Sequence, residues 1–164
     1  MERDREELMT LLVETLRGAN FGPPRVDGSL RRYRYPERKA EMITQAREWL
    51  GEVGGLEQAV ALHGDLTAKR RLLCTCPGIG PKTASWLLRN LGWADRVAVV
   101  DVHVLRLLID LGYLGEYARM PRDYELAEQQ FLALCREFDA PPAAFDLFAW
   151  EWQRGTLWPK STSL

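Results

Sequence analysis

Residues 73–108 read LCTCPGIGPKTASWLLRNLGWADRVAVVDVHVLRLL. The run Pro77-Gly78-Ile79-Gly80-Pro81-Lys82 stands between two segments of helical apolar spacing. Two glycines two residues apart let a backbone turn tightly and approach another molecule closely. Pro81 suits the first turn of a helix, where its missing N–H costs nothing. That helix is predicted to run to Leu91, with Gly92 at its end. The unpaired N–H groups at its start make an anion site, reinforced by the helix dipole. Ile79 would plug the turn on the protein side. Residues 96–100 (RVAVV) are short, apolar and β-branched, with no second convincing strand to pair with, and read as a buried extended connector. Asp101 then falls where an N-cap belongs, before a helix built on Val104, Leu105, Leu107, Leu108 and Leu111 and ended by Gly112.

Working outward, helical periodicity covers residues 4–18, 37–50, 56–63 and 66–75 before the hairpin, and 121–138 and 141–154 after it. Asp65 is the expected N-cap of the fourth of these. Residues 19–36 hold Gly22, Pro23, Pro24 and Gly28 and read as a loop. The expected fold is all-α, two-lobed, with a helix-hairpin-helix motif and a cleft between the lobes. At 164 residues the chain reads as one domain over 1–164, with its core at 66–112.

Composition narrows the function. An apolar fraction of 46% suits a packed core, and no 18-residue uncharged apolar run exists to span a membrane. The N-terminus lacks a signal-peptide pattern, so a cytoplasmic protein is expected. Cys74, Cys76 and Cys135 are an odd number without CxxC spacing, which argues against a disulfide framework, a zinc site or an iron–sulfur cluster. Net charge is −1, but Arg31, Arg32, Arg34, Arg38 and Lys39 cluster around Tyr33 and Tyr35, and Lys69, Arg70 and Arg71 make a smaller run. Such runs are either solvated surface or contacts for phosphates and bases.

CPGIGPKTASWLL followed by VAVVDVHVLRLL resembles the core of the helix-hairpin-helix DNA glycosylase superfamily. The resemblance implies a hairpin that holds DNA through Gly78, Ile79 and Gly80, a nucleophilic Lys82, an assisting Asp101, and a phosphate contact from His103. Adenine-mismatch and alkylpurine members usually lack the lysine, so its presence implies a bifunctional glycosylase and AP lyase. Endonuclease III relatives carry a four-cysteine cluster after the helical core. Its absence points to the 8-oxoguanine branch. LRGANFG (16–22) and FDLFAWEWQRGTLWPK (145–160) resemble segments of the small prokaryotic 8-oxoguanine glycosylases. In those relatives the chain stops close to a terminal lysine, whereas here it continues past Lys160. Removal of an oxidised purine from damaged double-stranded DNA is implied. An oxidised pyrimidine, a mismatched base, or DNA binding without catalysis are the alternatives. A monomer is expected, with no cofactor and no side-chain metal site. A monovalent cation held by hairpin carbonyls is implied by the resemblance alone.

The chemistry suits the residue types. A lysine amine can displace a base at the sugar C1′ and leave a Schiff base. A helix N-terminus disfavours the positive charge that the amine must shed. A carboxylate can stabilise charge developing on the sugar, or serve as a helix cap worth about 1 kcal/mol. An extruded base needs aromatic faces to stack on, and Trp86, Phe145, Asp146 and Trp150 are the candidate pocket residues. Core packing is the competing expectation for Trp86.

Overall fold

The computed structural model describes residues 2–18, 22–93 and 97–154, and these form eight helices and no strand. They divide into two compact units: residues 1–64 with 75–78, and residues 65–74 with 79–164.

In the first unit α1 (Glu2–Gly18) packs along α2 (Pro36–Glu52), followed by the short α3 (Leu56–Ala61). Three ion pairs join α1 to α2: Asp4–Arg47 at 3.2 Å, Arg5–Glu48 at 3.0 Å and Arg17–Glu37 at 2.5 Å. The start of α1 (Asp4, Arg5) thus meets the end of α2 (Arg47, Glu48), and the end of α1 (Arg17) meets the start of α2 (Glu37), which makes the pair antiparallel. All six side chains are about half exposed or more, so each pair adds at most about 1 kcal/mol. Burial of Ala40, Trp49, Ala59 and Val60 contributes more. The indole N–H of Trp49 donates to Thr75 Oγ1 at 2.9 Å, which satisfies the polar edge of that buried ring.

The second unit holds α4 (Leu66–Thr75, through Cys74), α5 (Pro81–Asn90), α6 (Val102–Asp110), α7 (Tyr124–Glu137) and α8 (Pro142–Arg154). Asp65 caps α4, its carboxylate accepting from Ala68 N at 2.8 Å. The most apolar helix, α6, packs against α7 and α8. Its Val104, Leu107 and Leu108 meet Phe131, Leu134 and Ala149 in the core. Gly112 ends it in the left-handed region (φ +77°), letting Tyr113 N return to Leu108 O at 2.8 Å. Residues 97–100 form no helix or strand and are buried, as the apolar composition of this connector predicts.

Two expectations need correction. The periodicity places the start of α7 at Pro121, but the helix begins at Tyr124. The Asp123 carboxylate accepts from Arg119 N and from the Arg122 guanidinium, closing residues 119–123 as a turn of their own. The run Lys69-Arg70-Arg71 is not uniformly solvated surface. Arg70 is buried and its guanidinium meets Glu128 of α7 at 2.6 and 2.8 Å, while lying over the Tyr124 ring. Cys76 and Cys135 are buried and Cys74 is half-buried, all three as free thiols. Burial raises each thiol above its ordinary value, Cys135 to about 11.

Candidate active site

Gly80 is the extended N-cap of α5, Pro81 occupies the first helical position, and Lys82 follows it. Gly78 precedes them in the left-handed region (φ +84°). A Cβ there would also lie 3.3 Å from the side chain of Met42, within the first unit. Gly78 and Gly80 are exposed and Ile79 is half-buried.

Asp101 caps α6. Its Oδ1 accepts from His103 N at 2.8 Å and Val104 N at 3.1 Å, while Oδ2 stands 3.5 Å from Lys82 Nζ. The two oxygens therefore divide the work: one holds the helix and the other faces the amine. Capping and an active-site role do not compete for the same atom. Lys82 is 55% exposed and Asp101 21%, so the amine sits at a mouth and the carboxylate further in.

What fixes this spacing is a buried hub. The Tyr124 hydroxyl lies 3.0 Å from Ser85 Oγ and 3.2 Å from the Ala98 carbonyl oxygen, and accepts from Val100 N at 3.3 Å. Ser85 is three residues beyond Lys82, and Val100 immediately precedes Asp101. One phenol thus ties the helix that carries the amine to the connector that carries the carboxylate. Leaving any of these buried polar groups unpaired costs about 1–3 kcal/mol, which keeps the arrangement unique. Neither Tyr124 nor Ser85 is among the sequence candidates. A serine on the apolar face of α5 is the one signal available, because a buried hydroxyl requires a partner.

Lys82 and Asp101 line a cavity of about 490 Å³, together with Trp86, Arg89, Val99, Val104, Asp146, Leu147 and Trp150. Lys82, Trp86 and Arg89 recur at i, i+4 and i+7 on one face of α5, and Asp146 and Trp150 at i and i+4 on α8. Trp86 is 54% exposed, so its role is not core packing. Arg89, which the sequence reading did not select, pairs with Asp146 through a short N–H···O contact. Burial pushes the Asp146 carboxyl above its ordinary value, against the pull of Arg89, and the Asp101 charge adds to the rise. The cavity thus offers two indole rings, two cations and two carboxylates around an apolar floor.

Phe145 is not on this wall. It stacks between Phe131 (5.6 Å), Phe138 (5.9 Å) and Phe148 (5.6 Å) against the core. His103 is half-buried beside the cavity rather than in it, with its ring edge-on to Trp150 at 6.4 Å and its buried Nδ1 without a hydrogen-bond partner among the described residues. Residues 19–21 of the first resembling segment and 155–160 of the second, with Lys160, lie outside the described residues.

The model of a family described as 8-oxoguanine DNA glycosylase matches residues 15–140. An 8-oxoguanine DNA glycosylase/AP lyase of Metallosphaera sedula is 30% identical over 125 residues, covering 76% of this chain and 60% of that protein. The protein of the same name from Thermotoga maritima is 34% identical over 128 residues, covering 76% and 59%. The chain spans about 60% of the length of these relatives. The crystal structure of the 8-oxoguanine DNA glycosylase of T. maritima superposes with a TM-score of 0.63 at 27% identity, over 94% of this chain and 71% of that one. The chain belongs to the 8-oxoguanine DNA glycosylase family.

Proposed function

We propose that this chain is a bifunctional DNA glycosylase and AP lyase that removes 8-oxoguanine from double-stranded DNA. The observation that carries the reading is Lys82 Nζ at 3.5 Å from Asp101 Oδ2, at the mouth of a cavity walled by two indoles. An exposed ion pair has little structural worth, and indole faces suit a base taken out of the stack.

The steps use this chain's own groups. The Lys82 amine attacks C1′ of the damaged nucleotide, and the N-glycosidic bond breaks with its electrons leaving on the base. Asp101 Oδ2 stabilises positive charge developing on the sugar and takes a proton from the attached amine. Ring opening gives the Schiff base. Loss of a 2′ proton then expels the 3′ phosphate by β-elimination, and water releases Lys82. Trp86 and Trp150 supply the stacking faces, and the Arg89–Asp146 pair supplies the polar groups that meet the base edge. Gly78, Ile79 and Gly80 present backbone N–H groups to a phosphate.

A monomer acting in the cytoplasm belongs to the same reading. No described helix is long and apolar enough to cross a membrane. The family resemblance alone implies a monovalent cation held by backbone carbonyls at the hairpin; among the described residues no group of three or more His, Cys, Asp or Glu could hold a metal ion.

The test is borohydride reduction of the protein with a panel of duplexes, each carrying one lesion. The expected result is a covalent adduct on the 8-oxoguanine duplex and strand cleavage without borohydride. Adduct formation only on an oxidised pyrimidine or a mismatch moves the substrate. Absence of any adduct overturns the enzyme assignment.

A further inference from the structure

The loop of residues 22–35 is basic out of proportion to the rest of the chain. It holds Arg25, Arg31, Arg32 and Arg34 against Asp27 alone, a net +3 in a protein whose total is −1. We propose that Arg25, Arg31, Arg32 and Arg34 form a second binding surface for the phosphate backbone of duplex DNA, apart in the chain from the hairpin. The inference rests on the DNA reading above and adds a surface to it.

The loop is built to hold these side chains together. Asp27 Oδ1 accepts from Ser29 N at 2.9 Å, Gly28 takes the left-handed conformation (φ +79°), and Gly28 N returns to Arg25 O at 2.9 Å. Arg25 N then bonds Ser29 O at 2.9 Å, which folds Arg25 back toward the residues that follow. Its one carboxylate is thereby turned onto the loop's own backbone. The Arg31 stem lies against Gly22, 3.8 Å from where a Cβ would stand. Arg34 lies over the Tyr35 ring, 5.2 Å from its centroid. The four guanidinium-bearing residues line one concavity together with Leu30.

The contrast with four helix arginines of this unit is in partners. Arg3, Arg5, Arg17 and Arg47 each face a carboxylate within 4 Å, whereas no ion pair among the described residues involves the four loop arginines or the Arg38 and Lys39 that follow them in sequence. Four like charges in one concavity repel each other, which costs stability unless an anion offsets it. Guanidinium groups match phosphate geometry and tolerate partial desolvation, and a planar cation stacked on tyrosine keeps its fork oriented. A phosphate backbone supplies a row of such anions at regular spacing.

The experiment measures binding of an undamaged duplex by anisotropy across a salt series. It compares wild type, R31Q/R32Q/R34Q, and R3Q as a charge-loss control on α1. The triple variant is expected to bind about tenfold or more weakly at low salt, and to flatten the slope of log K against log salt by about 2–3. R3Q keeps the wild-type slope. Helical content by circular dichroism checks that the triple variant is folded, and a single R32Q, expected to flatten the slope by about 1, serves if it is not. A wild-type slope in either loop variant overturns the surface while leaving the enzyme reading intact. Unchanged duplex binding with weakened single-stranded RNA binding overturns it in favour of RNA. A wild type that binds no duplex at any salt, and forms no borohydride adduct, overturns the DNA reading itself.

Discussion

Two of the cation–carboxylate pairs in the second unit, Arg70–Glu128 and Lys82–Asp101, are built oppositely. Arg70 and Glu128 join α4 to α7 at 2.6 and 2.8 Å, with both side chains about 10% exposed and the guanidinium covered by Tyr124. Lys82 and Asp101 join α5 to the start of α6 through one 3.5 Å approach, with the lysine 55% exposed. The first pair has taken two charges out of water and must keep them matched, since an orphaned buried charge is costly. The second gives up almost nothing when it opens, so its cation is free to leave the carboxylate for another atom. Burial and double contact mark a pair that serves the fold; exposure and a single contact mark one that can serve chemistry.

The largest effect should come from the lysine. Lys82→Gln is expected to remove borohydride trapping and strand cleavage, a loss on the order of 10³-fold or more, as for other removed nucleophiles. Its midpoint in urea should move by less than about 0.5 kcal/mol equivalent, the range of ordinary surface changes. A large stability loss would place Lys82 with Arg70, and the comparison would collapse.

Asp101→Asn sharpens the comparison because it separates the two oxygens. Asparagine caps helices about as well as aspartate. The bonds from His103 N and Val104 N should therefore survive, with stability close to wild type. The oxygen facing Lys82 loses its charge, and the rate of base removal should fall by about 10²–10⁴-fold. Single-turnover kinetics beside urea unfolding checks both halves. If the rate holds and the protein weakens, Asp101 is a cap and nothing more.

At the other pair the expectation reverses. Glu128→Leu leaves Arg70 buried and unmatched, and should cost about 3–5 kcal/mol. R70M/E128L should recover much of that loss, because well-packed apolar residues often replace a buried pair without penalty. Trapping by the single variant should persist at temperatures where it stays folded. Additive losses in the double variant would mean that the pair is not coupled.

These two pairs were not equally legible in the sequence. Lys82 and Asp101 stand at positions with local meaning: a helix start after Gly-Pro, and an N-cap before an apolar run. Short-range rules reach such positions, and they also place Asp65 and the ends at Gly92 and Gly112. Arg70 and Glu128 are 58 residues apart, and each looks like ordinary helix surface in its own segment. Only the packing of α4 on α7 makes them partners. The same holds for Tyr124, whose hydroxyl serves Ser85 and the connector across 39 and 24 residues. Phe145 misled for a related reason. It lies next to Asp146 in sequence, but adjacent residues on a helix face different ways, and its side chain turns to the core.

A third pair tests how far the contrast extends. Arg89 and Asp146 share features of both others, being about four-fifths buried yet on the cavity wall. Desolvation outweighs the guanidinium here, so the Asp146 carboxyl stands above the ordinary value of 3.8. A carboxyl raised in the folded state binds its proton more tightly there than in the unfolded chain. Its contribution to stability is then fully present below pH 3.8 and is lost as pH rises through the raised value. Wild type should lose stability relative to Asp146→Asn as pH rises from below 3.8 through that raised value, an effect smaller than any above. Melting temperatures of the two proteins across that window give the sign. The opposite slope would mean that Arg89 dominates, and the pair would then belong with Arg70–Glu128 as a fixture of the fold. The expected slope instead leaves Asp146 short of full charge compensation, with hydrogen-bonding capacity for a base edge in the cavity.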